Sequence, residues 1–470
     1  MSRARFPKAQ GTYTRPPKRN LLTPGGEPST FYYQTWGGCK VSNARRFLFA
    51  ALITTLGVSA CGDSRSEPQP GPAPAPTPAP TPAPPAGPTP AVAIDLACGD
   101  DLTGLQLAVA GETFLASFNR EFGESQLRVE AVRFTESGAV LDVPPLEIFG
   151  GDGPLRPDFR LTDLAGLESE FAIQFFGRVT SDLDVPRQEA YHRTLSTTGP
   201  LISEPQLEDS SVGFGTCRTL MGGRNAITYD LAGAMPFSAI QWSAACAGQG
   251  ILLEWIDGLP WESLDPLRAT STTQGWPSLA RSHNAVGGVF ARAPTVRNNT
   301  SQRVLVAGWL ETPVPGTAST REILSSLEEH TSEKIGLATV GETFLAAWGS
   351  AATLDSPLSE LRFMRFAAGD GPLDPDGGVL LAESDAIRSP VVSGNGSEFL
   401  VVWAEPAGDA ETLFLHRIAV DGAVSTEGPR EISTIAAGTP FGLASTKTTV
   451  AIAYHAPDEA GNHCIRVSRP

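Results

Sequence analysis

The chain has 470 residues, with 35 Lys plus Arg, 51 Asp plus Glu and a formal net charge of −16. The first 60 residues hold nine basic residues and one acidic residue, so the chain from Cys61 onward has 26 basic and 50 acidic residues, a balance of −24. Such a surface repels a phosphate backbone and argues against a nucleic-acid partner. With 48 Gly, 40 Pro and only 18% charged residues, the composition predicts many turns and few long helices.

Residues 44–61 have the order of an export signal. Arg45-Arg46 precedes an apolar run over residues 47–58, shorter than the ~20 residues that span a membrane. The segment ends in Val58-Ser-Ala-Cys61, which resembles the lipobox of bacterial lipoproteins. The resemblance implies cleavage before Cys61, which becomes the lipidated N-terminus, held in the membrane because acyl chains contribute about 0.8 kcal/mol per buried CH2.

Residues 1–40 lie upstream of this signal and allow two explanations. The start codon is mis-assigned and Val41 is the initiator, which makes residues 41–60 a signal peptide of ordinary length, or residues 1–40 form a disordered extension. Gly62 stands where an acidic residue would retain a lipoprotein in the inner membrane. We therefore expect an exported protein anchored in the cell envelope, at the outer membrane.

Residues 61–91 are expected to form a linker behind the lipidated cysteine. Between Pro68 and Pro90, 12 of the 23 residues are proline, in a Pro-Ala-Pro-Thr pattern. Such a run favours polyproline II at about 3.1 Å per residue and spans roughly 70 Å. A role as a ligand for aromatic-lined grooves is the alternative. Behind a lipid anchor, a spacer is the favoured interpretation.

The chain beyond residue 91 contains an internal repeat. Residues 105–118, 335–348 and 390–403 each consist of an apolar strand, a turn containing glycine and a second apolar strand that ends on an aromatic residue. Residues 126–141 and 412–424 each add an alternating strand, a tight glycine turn and a short strand. The repeat therefore comprises about four short antiparallel strands.

Seven such units fit the chain. Their second strands are expected near residues 114, 171, 226, 288, 344, 399 and 450. The first and last of these lie 336 residues apart, a mean spacing of 56 residues. This pattern predicts an all-β fold over residues 92–470, a β-propeller of about seven four-stranded blades. Six or eight blades and a pair of β-sandwiches are the alternatives, and Val304–Trp309 is a second candidate for the strand of the fourth unit.

The sequence of the second strand in each repeat resembles that of a known group of proteins. Gly396-Ser-Glu-Phe-Leu-Val-Val-Trp403 and its counterparts resemble the divergent propeller repeats of secreted proteins from predatory and soil bacteria, in which Gly-x-x-Phe-Leu-Val-x-Trp recurs once per blade. The resemblance covers most of residues 100–470 and implies a fold, not an activity. Aromatic residues at equivalent strand ends are expected to pack between blades: Phe118, Phe175, Tyr229, Trp348, Trp403 and Tyr454.

Four cysteines follow the linker, an even number that predicts disulfides in an oxidising compartment. Three connectivities exist. Cys98 and Cys464 lie near the two ends of the repeat region, which meet when a ring of blades closes, and Cys217 and Cys246 share the third unit. We therefore predict disulfides 98–464 and 217–246. Close C-x-x-C spacing, which a metal site would need, is missing.

We expect no cofactor and no metal. The six histidines have no metal-ligand spacing, and the chain lacks H-E-x-x-H, G-x-S-x-G and phosphate-binding glycine motifs. Residues 369–378 offer oxygen ligands suited to calcium but lack the third acidic position and distal Glu of an EF-hand loop, so turns explain them better. One cluster resembles a metal site but is expected to form a solvated hairpin loop: His455, Asp458, Glu459, His463 and Cys464.

These features predict a lipid-anchored, monomeric envelope protein whose propeller binds a protein or glycan ligand. The alternative, which we favour less, is a periplasmic or surface hydrolase or lyase acting on glycans, with its site at the channel mouth of the propeller. Two carboxylates about 5 to 9 Å apart between aromatic walls would indicate glycoside hydrolysis. No catalytic residue is assigned. Polar candidates for the channel mouth are Asp184, Glu204, Asp230, Asp265, Arg281, Glu311 and Arg388.

Overall fold

All regular secondary structure in the described part of the chain is β-strand. The computed structural model describes residues 92–99, 101–122, 126–150, 160–180, 186–199, 203–210, 218–229, 236–244, 248–255, 278–292, 304–310, 319–324, 330–331, 335–351, 356–367, 370–458 and 461–470. A helix of the length and apolarity needed to span a membrane does not occur in these ranges. The proposed signal, Cys61 and the Pro-rich linker lie outside them.

The strands are numbered in chain order. The first half comprises β1 (Val92–Cys98), β2 (Leu102–Ala110), β3 (Thr113–Phe122), β4 (Gln126–Thr135), β5 (Leu146–Phe149), β6 (Arg160–Leu167), β7 (Glu170–Thr180), β8 (Pro186–Ser196), β9 (Gln206–Ser210), β10 (Arg218–Tyr229), β11 (Pro236–Ala244), β12 (Gly248–Trp255), β13 (Ser278–Arg281), β14 (Val286–Arg292) and β15 (Val304–Leu310). The second half comprises β16 (Ser319–Leu324), β17 (His330–Thr331), β18 (Gly336–Val340), β19 (Thr343–Ala351), β20 (Glu360–Ala367), β21 (Gly371–Pro372), β22 (Val379–Glu383), β23 (Arg388–Gly394), β24 (Glu398–Ala407), β25 (Ala410–Ala419), β26 (Arg430–Ala436), β27 (Phe441–Ser445), β28 (Val450–Pro457) and β29 (His463–Arg469).

These strands form seven antiparallel sheets, named here in chain order. They are sheet 1 (β2–β5), sheet 2 (β6–β9), sheet 3 (β10–β12), sheet 4 (β13–β16), sheet 5 (β17–β22), sheet 6 (β23–β26) and sheet 7 (β27–β29 with β1). The inner strands β2, β6, β10, β13, β18, β23 and β27 each contact the next, and β27 returns to β2. A closed ring of antiparallel sheets is a β-propeller, and the pair of sandwiches is therefore wrong.

The strand count per sheet matches the prediction in part. Five sheets have the expected four strands, whereas sheet 3 has three described strands and sheet 5 has six. The expected second strands are confirmed in six units. In the third unit the expectation is wrong, because Ala226 lies on β10, the first strand of its sheet. Val304–Leu310 is the third strand of sheet 4, not its second.

The hydrophobic core is divided among the junctions between neighbouring sheets. One cluster joins sheets 7 and 1 through Phe114, Phe134 and Ile465, and others lie between sheets 1 and 2, 2 and 3, 4 and 5, 5 and 6, and 6 and 7. Burial of all six aromatic wedges confirms that part of the sequence analysis: Phe118, Phe175, Tyr229, Trp348, Trp403 and Tyr454. Sheets 1, 2, 5, 6 and 7 are thus each stabilised by both neighbours, as expected for a ring.

The ring is closed by pairing between the first and last strands. β1 runs antiparallel to β29, with Val92 opposite Arg469 and Cys98 opposite Cys464. The two cysteines form a disulfide, as predicted. The second predicted bridge, between Cys217 and Cys246, falls outside the described residues.

In three sheets an arginine, on β4, β20 or β29, donates to a main-chain carbonyl at a turn of the next sheet. We call this contact an arginine clasp. Arg133 donates to Ser196 O and Gly199 O, both at 2.8 Å. Arg365 donates to Val420 O at 2.6 Å, and Arg469 donates to Glu136 O.

Two of these arginines are held by an aspartate nine residues later. Asp142 accepts from Arg133 Nη2 at 2.6 Å and from its main-chain N–H at 2.8 Å. Asp374 makes the same contacts with Arg365, at 2.5 Å and 2.6 Å. The guanidinium groups are thus aimed at the neighbouring sheet, and the clasp of Arg469 positions one wall of the site described next.

Candidate functional site

A polar cleft of about 530 Å³ lies where turns of sheets 6, 7 and 1 meet. We call it the turn cleft. Its walls are the β23–β24 turn (395–397), the β27–β28 turn (446–449), Glu136 in the β4–β5 turn, and Arg469 at the end of β29. In a meander of antiparallel strands the first and third turns lie at the same end, so these segments share one face of the ring.

The two hairpin turns are held by their own side chains. Asn395 Oδ1 accepts from the main-chain N–H groups of Ser397 and Glu398, both at 3.0 Å. Gly396, between Asn395 and Ser397, adopts φ +89°. Thr446 Oγ1 accepts from the N–H groups of Thr448 and Thr449 at 3.2 and 3.0 Å. Asn and Thr side chains stabilise turns in this way, and the rims of the cleft are therefore preorganised.

Charged groups of both signs line the cleft. Arg417 donates to Glu398, whose Oε1 also accepts from Asn395 Nδ2 at 3.0 Å, so this pair is internally compensated. Arg469 is bound by a carbonyl oxygen, that of Glu136, and its Nε is buried without a hydrogen-bond partner. The carboxylate of Glu136 accepts from the Thr448 hydroxyl at 3.0 Å.

Lys447 is the remaining cation of the cleft. It is exposed, and its stem lies near Gly396, where a Cβ would be 3.5 Å from Lys447 Cγ. Among the described residues it has no hydrogen bond and no ion pair. Its ammonium therefore stands at the rim as a donor available to a ligand.

The lining also includes two residues without polar side chains, Val450 and Pro470, and five with hydroxyl or amide side chains: Asn395, Ser397, Thr446, Thr448 and Thr449. No aromatic side chain belongs to the described lining. The cleft does contain two carboxylates, Glu136 and Glu398, but they stand without the aromatic walls expected of a glycoside hydrolase site. Chemically, the arrangement can bind a polar ligand through charge and hydrogen bonds.

The channel-mouth candidates from the sequence do not converge. Asp184, Asp230, Asp265 and Glu311 fall outside the described residues. Glu204 is exposed, 3.8 Å from Arg193. Arg281 ends β13 whereas Arg388 begins β23, so they lie at opposite ends of the inner strands and on opposite faces of the ring.

Arg388 makes an ion pair without a well-formed hydrogen bond. Its Nη2 is 2.9 Å from Glu411 Oε2, yet both atoms are buried and neither has a hydrogen-bond partner. The distance establishes attraction between the charges, while the angles exclude a directional bond. Burial lowers the pKa of Arg388, opposed by the charge of Glu411, and its guanidinium lies 4.8 Å from the Phe441 ring. This environment fits a structural role.

Other sequence candidates also have structural roles. Asp374 is buried in its pair with Arg365, so its carboxylate is engaged and a calcium site over residues 369–378 gains no support. Asp458 accepts from the N–H and side-chain amide of Asn462, both at 2.8 Å, in the hairpin turn. The expectation of a solvated loop is wrong for His455 and Cys464, which are buried on β28 and β29, and Glu459 falls outside the described residues. The sulfur atoms near Asp458 belong to the Cys98–Cys464 disulfide.

The sequence analysis missed both the clasp and the turn cleft. The clasp has a signal: Arg-Phe at 133 and at 365 is followed by Leu-Asp eight residues later in each case. The cleft has none, because its walls come from three sheets and Arg469 meets Glu136 across 333 residues.

No protein-family model and no curated protein matches the sequence. The sialidase of Trypanosoma rangeli in complex with 2,3-difluorosialic acid is 8% identical over 79% of this chain and 54% of its own, with a TM-score of 0.39. The chain therefore spans about half the length of that sialidase.

Two further solved structures are similar over most of their own length. A polysaccharide lyase described as an ulvan lyase is 11% identical over 79% of this chain and 93% of its own, with a TM-score of 0.43. The β-propeller domain of the Trilobed protease from Pyrococcus furiosus is 8% identical over 78% of this chain and 95% of its own, with a TM-score of 0.39. Similarities at this level assign no activity to this chain.

Proposed function

We propose that this protein is a lipid-anchored protein of the cell envelope whose propeller is a binding module. Residues 41–60 are the signal peptide, Cys61 carries the lipid, and residues 61–91 hold the domain away from the outer membrane. All seven sheets act as blades, and sheets 3 and 5 differ from the four-stranded blade only in their number of strands. The ring of seven contacting inner strands supports this blade count.

The turn cleft is the observation that carries the binding role. It is concave, it has a volume within the usual range of about 300–1,000 Å³ for ligand sites, and its rims are fixed by side-chain-capped turns. It also offers an ammonium without a described partner. A rigid site of this kind loses little conformational entropy on binding.

The anchor is tested by expressing the chain with its own signal, with and without Cys61→Ala, followed by fractionation and intact-mass analysis. We expect the wild type in the outer-membrane fraction, with an acylated N-terminus at Cys61, and the variant in the soluble fraction. A soluble wild type that retains residues 1–60 would contradict export and anchoring. Light scattering of the detergent-solubilised protein tests the expected monomer.

A glycan-acting enzyme is the second candidate function, because Glu136 and Glu398 share the turn cleft. Hydrolases and lyases of glycans use acidic or basic groups in such a position. Incubating the protein with a panel of neutral and acidic polysaccharides and measuring new reducing ends and unsaturated products tests it. We expect no turnover. Turnover that is lost in Glu398→Gln would establish the enzyme instead.

A further inference from the structure

We infer that the turn cleft binds an acidic glycan, and that Lys447 pairs with the carboxylate of a uronic-acid residue. This inference rests on the proposed binding function and names the ligand class for the same site. It follows from the charge, the hydroxyl groups and the size of the cleft.

The side chains of the cleft carry a single excess positive charge. Three cations, Arg417, Lys447 and Arg469, face two carboxylates, Glu136 and Glu398. Arg417 and Glu398 compensate each other, and Arg469 is clasped to the Glu136 turn. Lys447 is therefore the cation that a ligand can use. One ammonium suits a monoanion, whereas the two nearby carboxylates would repel a phosphate dianion.

The hydroxyl groups around Lys447 suit a sugar ring. Thr448 Oγ1 donates to Glu136, and Ser397 Oγ donates to Asn395 Oδ1 at 3.0 Å, so each oxygen can still accept a hydrogen bond. The Thr449 hydroxyl has no partner among the described residues and can both donate and accept. Sugar hydroxyls also both donate and accept, which matches this set.

The volume of the turn cleft and the lack of aromatic residues in its described lining restrict the class of ligand further. A volume of about 530 Å³ accommodates a short oligosaccharide segment rather than a single small ion. Neutral sugars gain much of their affinity by packing on aromatic faces, and the described lining has none. Charge and hydrogen bonds must therefore supply the binding energy, which favours an acidic sugar.

The test measures binding of oligogalacturonate, oligoglucuronate and oligomannuronate to the detergent-solubilised full chain by calorimetry. The matched probe is methyl-esterified oligogalacturonate, which keeps the sugar and removes the charge. We expect at least one uronate to bind at least about tenfold more tightly than the neutral probe, and to bind more weakly as salt increases.

Variants locate the site. Lys447→Gln is expected to weaken uronate binding at least about tenfold, and Lys447→Arg to retain most of it. Arg430→Gln is the control, since Arg430 is an exposed cation on β26 outside the cleft lining and undergoes the same charge change. Both positions are exposed, so the variants are expected to fold, which circular dichroism verifies.

Several outcomes would overturn the inference: equal affinity for the acid and its ester, inorganic phosphate competing as well as the uronates, or Lys447→Gln binding like the wild type. If neutral glycans or a protein bind while no uronate does, the ligand class is wrong and the binding module stands. If nothing in a broad glycan and envelope-protein panel binds, both proposals fail.

Discussion

At the scale of single residues, the two arginine–aspartate pairs are the least exposed ion pairs among the described residues. Arg133 and Asp142 expose 9% and 5% of their side chains, and Arg365 and Asp374 expose 11% and 6%. Each aspartate also accepts its partner's main-chain N–H. Each aspartate thus binds both the side chain and the main chain of its arginine, and removal of one partner leaves a buried charge uncompensated.

We predict that Asp142→Ala lowers the free energy of unfolding by about 3 to 5 kcal/mol, because the guanidinium of Arg133 stays buried without its counter-charge. Urea unfolding measures the change. Asp409→Ala is the control, since Asp409 is exposed and has no partner among the described residues; it should change stability by no more than about 0.5 kcal/mol. A loss below about 1 kcal/mol for Asp142→Ala would contradict the clasp as a stabilising contact.

Two buried histidines predict a loss of stability in acid. Burial lowers the pKa of His416 and His455 below the usual histidine value of 6.5, despite hydrogen bonds to Gly428 and Gly104 that raise it. Protonation of both is less favourable in the fold than in the unfolded chain, so the unfolded chain binds more protons once the pH falls below about 6.5. The free energy of unfolding should therefore decrease from that pH downward.

Urea unfolding at about pH 7.5 and about pH 5 measures this effect. Carboxylates contribute to the same trend, so the informative comparison is with the His416→Gln/His455→Gln variant, whose stability should depend less on pH. An equal pH dependence in the wild type and the double variant would contradict the assignment to these histidines.

At the scale of elements, the clasp requires a particular turn as well as an arginine. Gly422 has φ +90°, and a Cβ there would lie 2.5 Å from Arg365 Cζ. Gly138 has φ +89°, and a Cβ there would lie 3.0 Å from Arg469 Nη2. The glycine thus serves both the backbone conformation of the turn and the approach of the guanidinium group.

Gly422→Ala separates these two roles when compared with Gly408→Ala. Gly408 also has positive φ, at +68°, but nothing lies within 4 Å of its Cβ position. Gly408→Ala should cost about 1 to 2 kcal/mol from backbone strain alone. Gly422→Ala should cost about 1 to 3 kcal/mol more, because the alanine displaces Arg365. If Gly422→Ala and Gly408→Ala lower the free energy of unfolding equally, displacement of the Arg365 guanidinium does not destabilise the fold.

Strand positions were predictable where apolar alternation and turn glycines agree, as in β3, β19 and β24. The third unit failed because Gly222-Gly223 does not end a strand: it falls inside β10, at an irregularity in the pairing with β11 between Leu220 and Asn225. In sheet 5 the extra strands are short, two residues each for β17 and β21, and such pairs leave no periodic signal in a sequence.

At the scale of the whole molecule, the Cys98–Cys464 bridge closes a loop over a sequence separation of 366 residues. We predict that Cys98→Ser/Cys464→Ser lowers the free energy of unfolding by up to about 5 kcal/mol, because the unfolded chain regains the freedom that the bridge removes. Thermal and urea unfolding measure the loss. Unchanged stability would contradict the role of the bridge in holding the ring closed.

A reductant provides the accompanying control. It should destabilise the wild type by an amount similar to the double substitution. A reductant effect that persists in the Cys98→Ser/Cys464→Ser variant would report a second bridge, as predicted for Cys217 and Cys246, because no other cysteine pair follows the linker.

The closure of the ring could be predicted from two cysteines at its ends, since any closed ring brings its termini together. The turn cleft could not, because it depends on how three sheets place their turns. Arg417, Lys447 and Arg469 belong to two different sheets, and nothing in their spacing indicates that they share one concave surface. A site shared between blades becomes visible only with the tertiary structure.

The closing seam also has a mechanical consequence. Under the anchoring at Cys61 that we propose, a pull on the linker would act first on Val92, at one end of β1, and would open the β1–β29 pairing residue by residue from that end. Peeling stops at Cys98, at the other end of β1, because the bridge to Cys464 is covalent. From there the tension divides between β2 and β29. Tension applied at residue 92 would thus detach one edge strand while sheets 1 and 7 stay joined by the disulfide.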